Sequence, residues 1–214
     1  MYDNKIFSKV FMWMFIGLFV SFITGIYVSS NQTMLENIYS NMFIWFILAE
    51  FGLVIYLSAR INKMSFNSAV ISYLLYSFVN GLTLSIIFAV YQFSSIVMVF
   101  GLTSLVFLIF SLIGYFTNID LTKLGTILFM GLLAIIIASI VNIFVRSYQI
   151  DLISIIIGII IFMGFIMYDI QKIKRMTLMI PDENKAAIFG ALQLYLDFIN
   201  LFIRLLRFFG RSKD

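Results

Sequence analysis

Long apolar stretches separated by short polar ones run the whole length of the chain, and their length decides what they are. A helix crossing about 30 Å of hydrocarbon needs about 20 mostly apolar residues. Seven stretches reach that size, at about residues 10–28, 42–60, 68–91, 96–116, 124–145, 152–171 and 186–207. The connections between them are too short to hold a soluble domain. The pattern therefore predicts an all-α integral membrane protein with seven transmembrane helices, in a single polytopic domain over 1–214. The first stretch stands behind Lys5 and Lys9, as in a signal peptide, but its apolar core is too long and no small-residue cleavage site follows, so it reads as a retained helix.

Composition makes lipid the solvent. Of 214 residues 63% are hydrophobic and 11% charged, where a soluble domain carries about 25% charged. The chain has no cysteine and no histidine, which removes disulfides, thiolate nucleophiles, imidazole bases and histidine-bound zinc. The scattered glycines form no phosphate loop or dinucleotide motif. No enzymatic activity, no cofactor and no nucleic-acid partner is expected.

Charge supplies the orientation. With a cytoplasmic N-terminus, the inside segments hold Lys5, Lys9, Arg60, Lys63, Lys123, Lys172, Lys174, Arg175 and Lys185, and the outside loops before the last span hold only Arg146. That asymmetry sets the N-terminus inside. Arg204, Arg207, Arg211 and Lys213 follow the last apolar stretch and conflict with it if that stretch crosses fully. The last segment is either re-entrant, or it crosses against the rule.

Three acids lie where lipid is costly, since an ionised group near the bilayer centre costs about 2.5–3.5 kcal/mol on insertion scales. Glu50 is near the middle of the second span, Asp197 near the middle of the seventh, and Asp169 about one turn from the cytoplasmic end of the sixth. The plain alternative for Asp169 is a solvated helix end beside Lys172 and Lys174. For Glu50 and Asp197 it is a buried structural hydrogen bond or ion pair. In the seventh segment Gln193, Asp197, Asn200, Arg204 and Arg207 are spaced by four, three, four and three, so they share one helical face. A narrow polar stripe among apolar flanks suits a helix inside a bundle, and the alternative is an amphipathic helix lying on the membrane surface. A weaker stripe in the third span includes Asn80, next to Gly81, where a side-chain amide is able to orient a neighbouring carboxylate.

Paired intramembrane aspartates suggest an aspartic protease, a proton relay or a cation site, because two close carboxylates resist ionising together. The GxGD signature of intramembrane aspartyl proteases is absent around Asp169 and Asp197. Oxygen ligands suit calcium, and protons compete with the metal for them, so such a site is pH-sensitive without histidine. Two carboxylates are too few for tight calcium storage, which favours passage.

The runs YDIQKIKR at 168–175 and LYLDFINLFIRLLRFFG at 194–210 resemble the end of the Bax inhibitor-1 family, and Glu50 and the run Asn80, Gly81, Leu82 and Thr83 are similar to family positions. The resemblance implies a bundle of seven helices with the last one central and surrounded by the other six. It also implies a pH-sensitive calcium leak channel in which Asp169 and Asp197 share a proton and an arginine, matched to Arg60, latches the closed pore. Glu50, Asn80, Gln193 and Asn200 are the supporting polar residues. Calcium and protons are the expected partners, in a monomer. Short loops and the residue usage resemble bacterial members, which implies the plasma membrane. A second reading is a membrane regulator that binds another membrane protein such as a protease.

Overall fold

The computed structural model describes residues 2–180 and 182–213, with the side chains of residues 2–4, 39, 41 and 177–179 outside that description. Its elements are α1 (Tyr2–Ser29), α2 (Gln32–Asn37), a π-helical turn (Ile38–Met42), α3 (Phe43–Arg60), α4 (Phe66–Val90), α5 (Phe93–Phe116), α6 (Thr122–Val145), α7 (Tyr148–Met179) and α8 (Glu183–Phe209). Among the described residues there is no strand, and 7 helices are long and apolar enough to cross a membrane. The seven-helix all-α architecture is the one that the hydrophobic pattern predicts.

The helices outrun the uncharged stretches. Helix α1 begins at Tyr2 and α7 continues to Met179, well beyond 10 and 171. Lysine and arginine end a hydrocarbon span but are good helix formers, so Lys172, Lys174 and Arg175 do not stop α7. Asp169 consequently stands about 15 Å from the helix end, at 1.5 Å per residue, and not one turn from it. Helix α2 and the π turn interrupt the approach to α3. Asn31 caps α2 by accepting the Met34 N–H at 3.1 Å, and Ser65 caps α4 through the Ser68 N–H at 3.2 Å, as short oxygen-bearing side chains do.

Two compact units divide the chain. The first comprises Met1–Phe93, Arg175–Tyr195 and Ser212–Asp214, and the second Ser94–Lys174 and Leu196–Arg211. In the first unit α4 packs against both α1 and α3. A Cβ on Gly81 would stand 2.7 Å from the Ser21 carbonyl oxygen and 2.6 Å from Thr24 Cβ, so only glycine lets α1 and α4 approach this closely. In the second unit Gly114 of α5 does the same against α7, where a Cβ would lie 2.5 Å from the Met167 carbonyl oxygen.

Contacts within the first unit settle the course of α8. At its start Lys9 Nζ lies 3.1 Å from Glu183 and donates to Asn184 Oδ1 at 2.9 Å, and Lys185 Nζ donates to the carbonyls of Asn62 and Met64 in the α3–α4 connection. Beyond its end Ser212 forms an antiparallel bridge with Tyr91, and the Lys213 N–H donates to the Val90 carbonyl at 2.8 Å. Helix α4 runs from the first of these faces to the second. Helix α8, 27 residues long, therefore crosses fully, and the re-entrant alternative falls. Of its most apolar stretch 72% is buried, against 6% for α3, which also removes the surface-helix alternative.

Candidate functional site: a buried carboxylate pair

The α7 register that fixes Asp169 is held by the Gly114 contact two residues earlier, at Met167. Ile166, Ile170 and Ile173 on the same helix are fully buried. Asp197 is carried by α8 beside Phe198, whose ring meets Phe100 and Phe107 edge-on at 5.3 and 5.6 Å. Asp169 and Asp197 are 8% and 5% exposed, so neither is a solvated helix end. Their carboxyl groups are close enough to interact with each other, and Lys172 is the cation near both. Lys172 Nζ itself sits 5.8 Å from the centre of the Tyr168 ring. Asp197 Oδ2 has no hydrogen-bond partner among the described residues. A carboxylate only accepts hydrogen bonds, so two such neighbours bond to each other only when one of them carries a proton.

The first unit contains a second set of polar groups, half-buried at Glu50 and Thr83 and buried at Asn80, Ser21 and Tyr195. The Thr83 hydroxyl donates to Glu50 Oε1 at 2.6 Å, and the Asn80 side chain lies beside the same carboxyl. Tyr195, fully buried on α8, donates to Asn80 Oδ1 at 2.7 Å and lies 2.5 Å from Ser21 Oγ. Ser21 in turn donates to the Ser77 carbonyl at 2.7 Å. Tyr73 and Tyr76 meet the Tyr195 ring edge-on at 6.2 and 5.5 Å.

The residues singled out by sequence thus fall into distinct settings. Asp169 and Asp197 come together, and Glu50 and Asn80 come together. Gln193 is half-buried and its Oε1 has no partner among the described residues. Asn200 turns back on its own helix, donating to the Leu196 carbonyl at 2.8 Å. Arg60 is the last residue of α3, exposed and without an ion pair among the described residues. Arg204 and Arg207 of the α8 stripe reach α7, where Arg204 Nη1 donates to the Ser154 carbonyl at 3.0 Å and Arg207 Nη2 pairs with Asp151 at 2.5 Å. The sequence does not mark Tyr195 and Ser21 as site residues, and it offers Lys172 only as a solvating neighbour of Asp169. The available signals were a tyrosine two residues before Asp197, whose buried hydroxyl needs a partner, and a lysine three residues after Asp169 on the same helical face.

Seven helices long and apolar enough to cross a membrane, with an acid pair buried among them, define a polytopic membrane protein. The family model described as "Inhibitor of apoptosis-promoting Bax1" matches residues 3–214. The chain belongs to the Bax inhibitor-1 family. It is 46% identical over 217 residues to an uncharacterized protein of Borreliella burgdorferi, covering 99% of this chain and 94% of that one. It is 40% identical over 213 residues to the inner membrane protein YbhL of Escherichia coli K12, covering 96% and 91%. With the Rickettsia prowazekii protein RP147 it shares 36% over 210 residues, covering 96% and 89%.

Proposed function

We propose that this protein is a pH-sensitive calcium leak of the plasma membrane, with its N-terminus cytoplasmic, gated by the proton shared between Asp169 and Asp197. The observation that supports the reading is the pairing of two buried carboxyls, which resist ionising together and so favour a proton held between them. Losing that proton leaves adjacent negative charge in a low-dielectric interior, which then attracts cations strongly. Calcium is the fitting cargo because it takes carboxylate and carbonyl oxygens, and two carboxylates bind it weakly enough to let it pass. Arg60 is assigned the latch of the closed state by its match to the family arginine, so protonation releases the latch and raises the leak. Such a switch is a helix arrangement with two states, biased by the charge on the pair. The name of YbhL as an inner membrane protein supports the membrane assigned.

The test is calcium flux into liposomes containing only the purified protein, at about pH 6 and about pH 8. Wild type is expected to leak faster at the acidic value, and Asp197→Asn to leak at a rate that no longer depends on pH. An unchanged pH response in Asp197→Asn overturns the site assignment. Absence of flux from wild type at both values turns the reading to a regulator of another membrane protein.

A further inference from the structure

The C-terminal third of α8 carries basic residues to the membrane face on which α6 ends and α7 begins. In the second unit they line a cavity of about 440 Å³ together with Asp151, Ser154, Ser139 and Asn142. Two guanidiniums against one carboxylate leave one positive charge unbalanced. Arg207 is satisfied by Asp151. Arg204 is not: it gives one hydrogen bond to the Ser154 carbonyl, its Nε is buried without a partner, and it has Arg207 as a like-charged neighbour. Its guanidinium is nevertheless held firmly in place. It lies 5.4 Å from the centre of the Phe162 ring and against Gly158, where a Cβ would come within 2.3 Å of it. A fixed, permanently charged and under-bonded arginine facing a cavity calls for an anion.

We propose that this cavity binds the phosphate of a membrane phospholipid, with Arg204 and Arg207 holding the headgroup and the acyl chain running down α6. Arginine matches phosphate oxygens with paired N–H donors, and basic pockets between membrane helices take lipid headgroups. The apolar wall argues for an amphiphile over a soluble ion: Ile136, Ile140 and Ile143 stand 46%, 54% and 67% exposed along α6, and all three line the cavity. Depth agrees. Arg204 is five residues before the end of α8, about 7–8 Å below it at 1.5 Å per residue, which is the level of the headgroup and acyl boundary. A phosphate there also offsets the basic tail that the full crossing of α8 carries to the face opposite the N-terminus, against the usual distribution of charge.

The experiment is a titration of the detergent-purified full chain, read by native mass spectrometry and by thermal unfolding, with phosphatidylglycerol, with diacylglycerol and with inorganic phosphate in separate arms. Phosphatidylglycerol is expected to bind saturably and raise the unfolding temperature, while the other two do neither. Arg204→Gln is expected to weaken phosphatidylglycerol binding about tenfold or more, as loss of a charged hydrogen-bonding partner does. Asn142→Asp is the second variant. Asn142 Oδ1 accepts the Ser147 N–H at 2.8 Å, a bond that aspartate keeps while cancelling the cavity's net charge, so it too is expected to weaken binding. Equal effects of diacylglycerol mean that only the chain is recognised, and equal effects of phosphate mean a soluble-ion site; either overturns the proposal. So does undiminished lipid binding in both variants.

Discussion

Two polar regions are buried in this membrane protein, and they are finished to different degrees. Around Glu50 the hydrogen bonds run from donor to acceptor through Thr83, Asn80, Tyr195 and Ser21. In the second unit the carboxyls of Asp169 and Asp197 are neighbours, and Asp197 Oδ2 and Arg204 Nε have no partner among the described residues. Satisfied buried networks rigidify a fold, whereas partly satisfied ones keep charge available. The first region is expected to serve the stability of the helix packing, and the second is the one in which the proposed responses to protons and anions would reside.

The largest effect expected from this contrast comes at the helix contact beneath the Glu50 network. Gly81→Val places a branched side chain where even a Cβ would meet the Ser21 carbonyl at 2.7 Å. Forcing α1 from α4 pulls Ser21 from Tyr195, and overpacking a close backbone contact costs about 1–3 kcal/mol, here expected at or above the upper end. Gly52→Ala is the control, because nothing lies within 4 Å of its Cβ position, and a gain of about 0.5–1 kcal/mol is expected from helix propensity alone. Unfolding of both variants in one detergent measures the difference.

A smaller effect separates two residues that are neighbours on α8. Tyr195→Phe strands Asn80 Oδ1 in the interior and is expected to cost about 1–3 kcal/mol. Asp197→Asn replaces one carboxyl of the buried pair with an amide able to donate to the other, so stability near neutral pH is expected to stay level or rise. If both variants lose stability alike, the second region is as structural as the first and the contrast disappears.

The sequence made the acids of these regions visible and left most of their partners hidden. A charge inside an apolar run stands out because lipid penalises it, which is why Glu50 and Asp197 were legible, and the spacing of Gln193, Asp197, Asn200, Arg204 and Arg207 marked one face of α8. Asp169 was harder to place. Counting uncharged residues ends α7 at the first lysine, while backbone hydrogen bonding continues to Met179. Tyr195 was hidden because a tyrosine among leucines and phenylalanines reads as apolar bulk, and only the position of α4 shows that its hydroxyl has Asn80 to meet. The course of α8 was hidden for a different reason. Loop charge argued against a full crossing, and the pairing of Ser212 with Tyr91 depends on residues far apart in sequence.

The smallest stability effect belongs to Arg60, and it sharpens the contrast most. The side chain is exposed and has no ion pair among the described residues, so Arg60→Ala is expected to change stability by less than about 0.5 kcal/mol, as ordinary surface substitutions do. Its expected consequence is functional: the leak near pH 8 rises toward the rate near pH 6, because the carboxylate pair loses its latch. Lys172 is the competing counter-charge, since it already acts on both aspartates. If Arg60→Ala leaves the pH profile of calcium flux unchanged and Lys172→Met flattens it, the latch belongs to the lysine three residues beyond Asp169. The responsive region would then carry its own cation, with acid pair and counter-charge together in one unit.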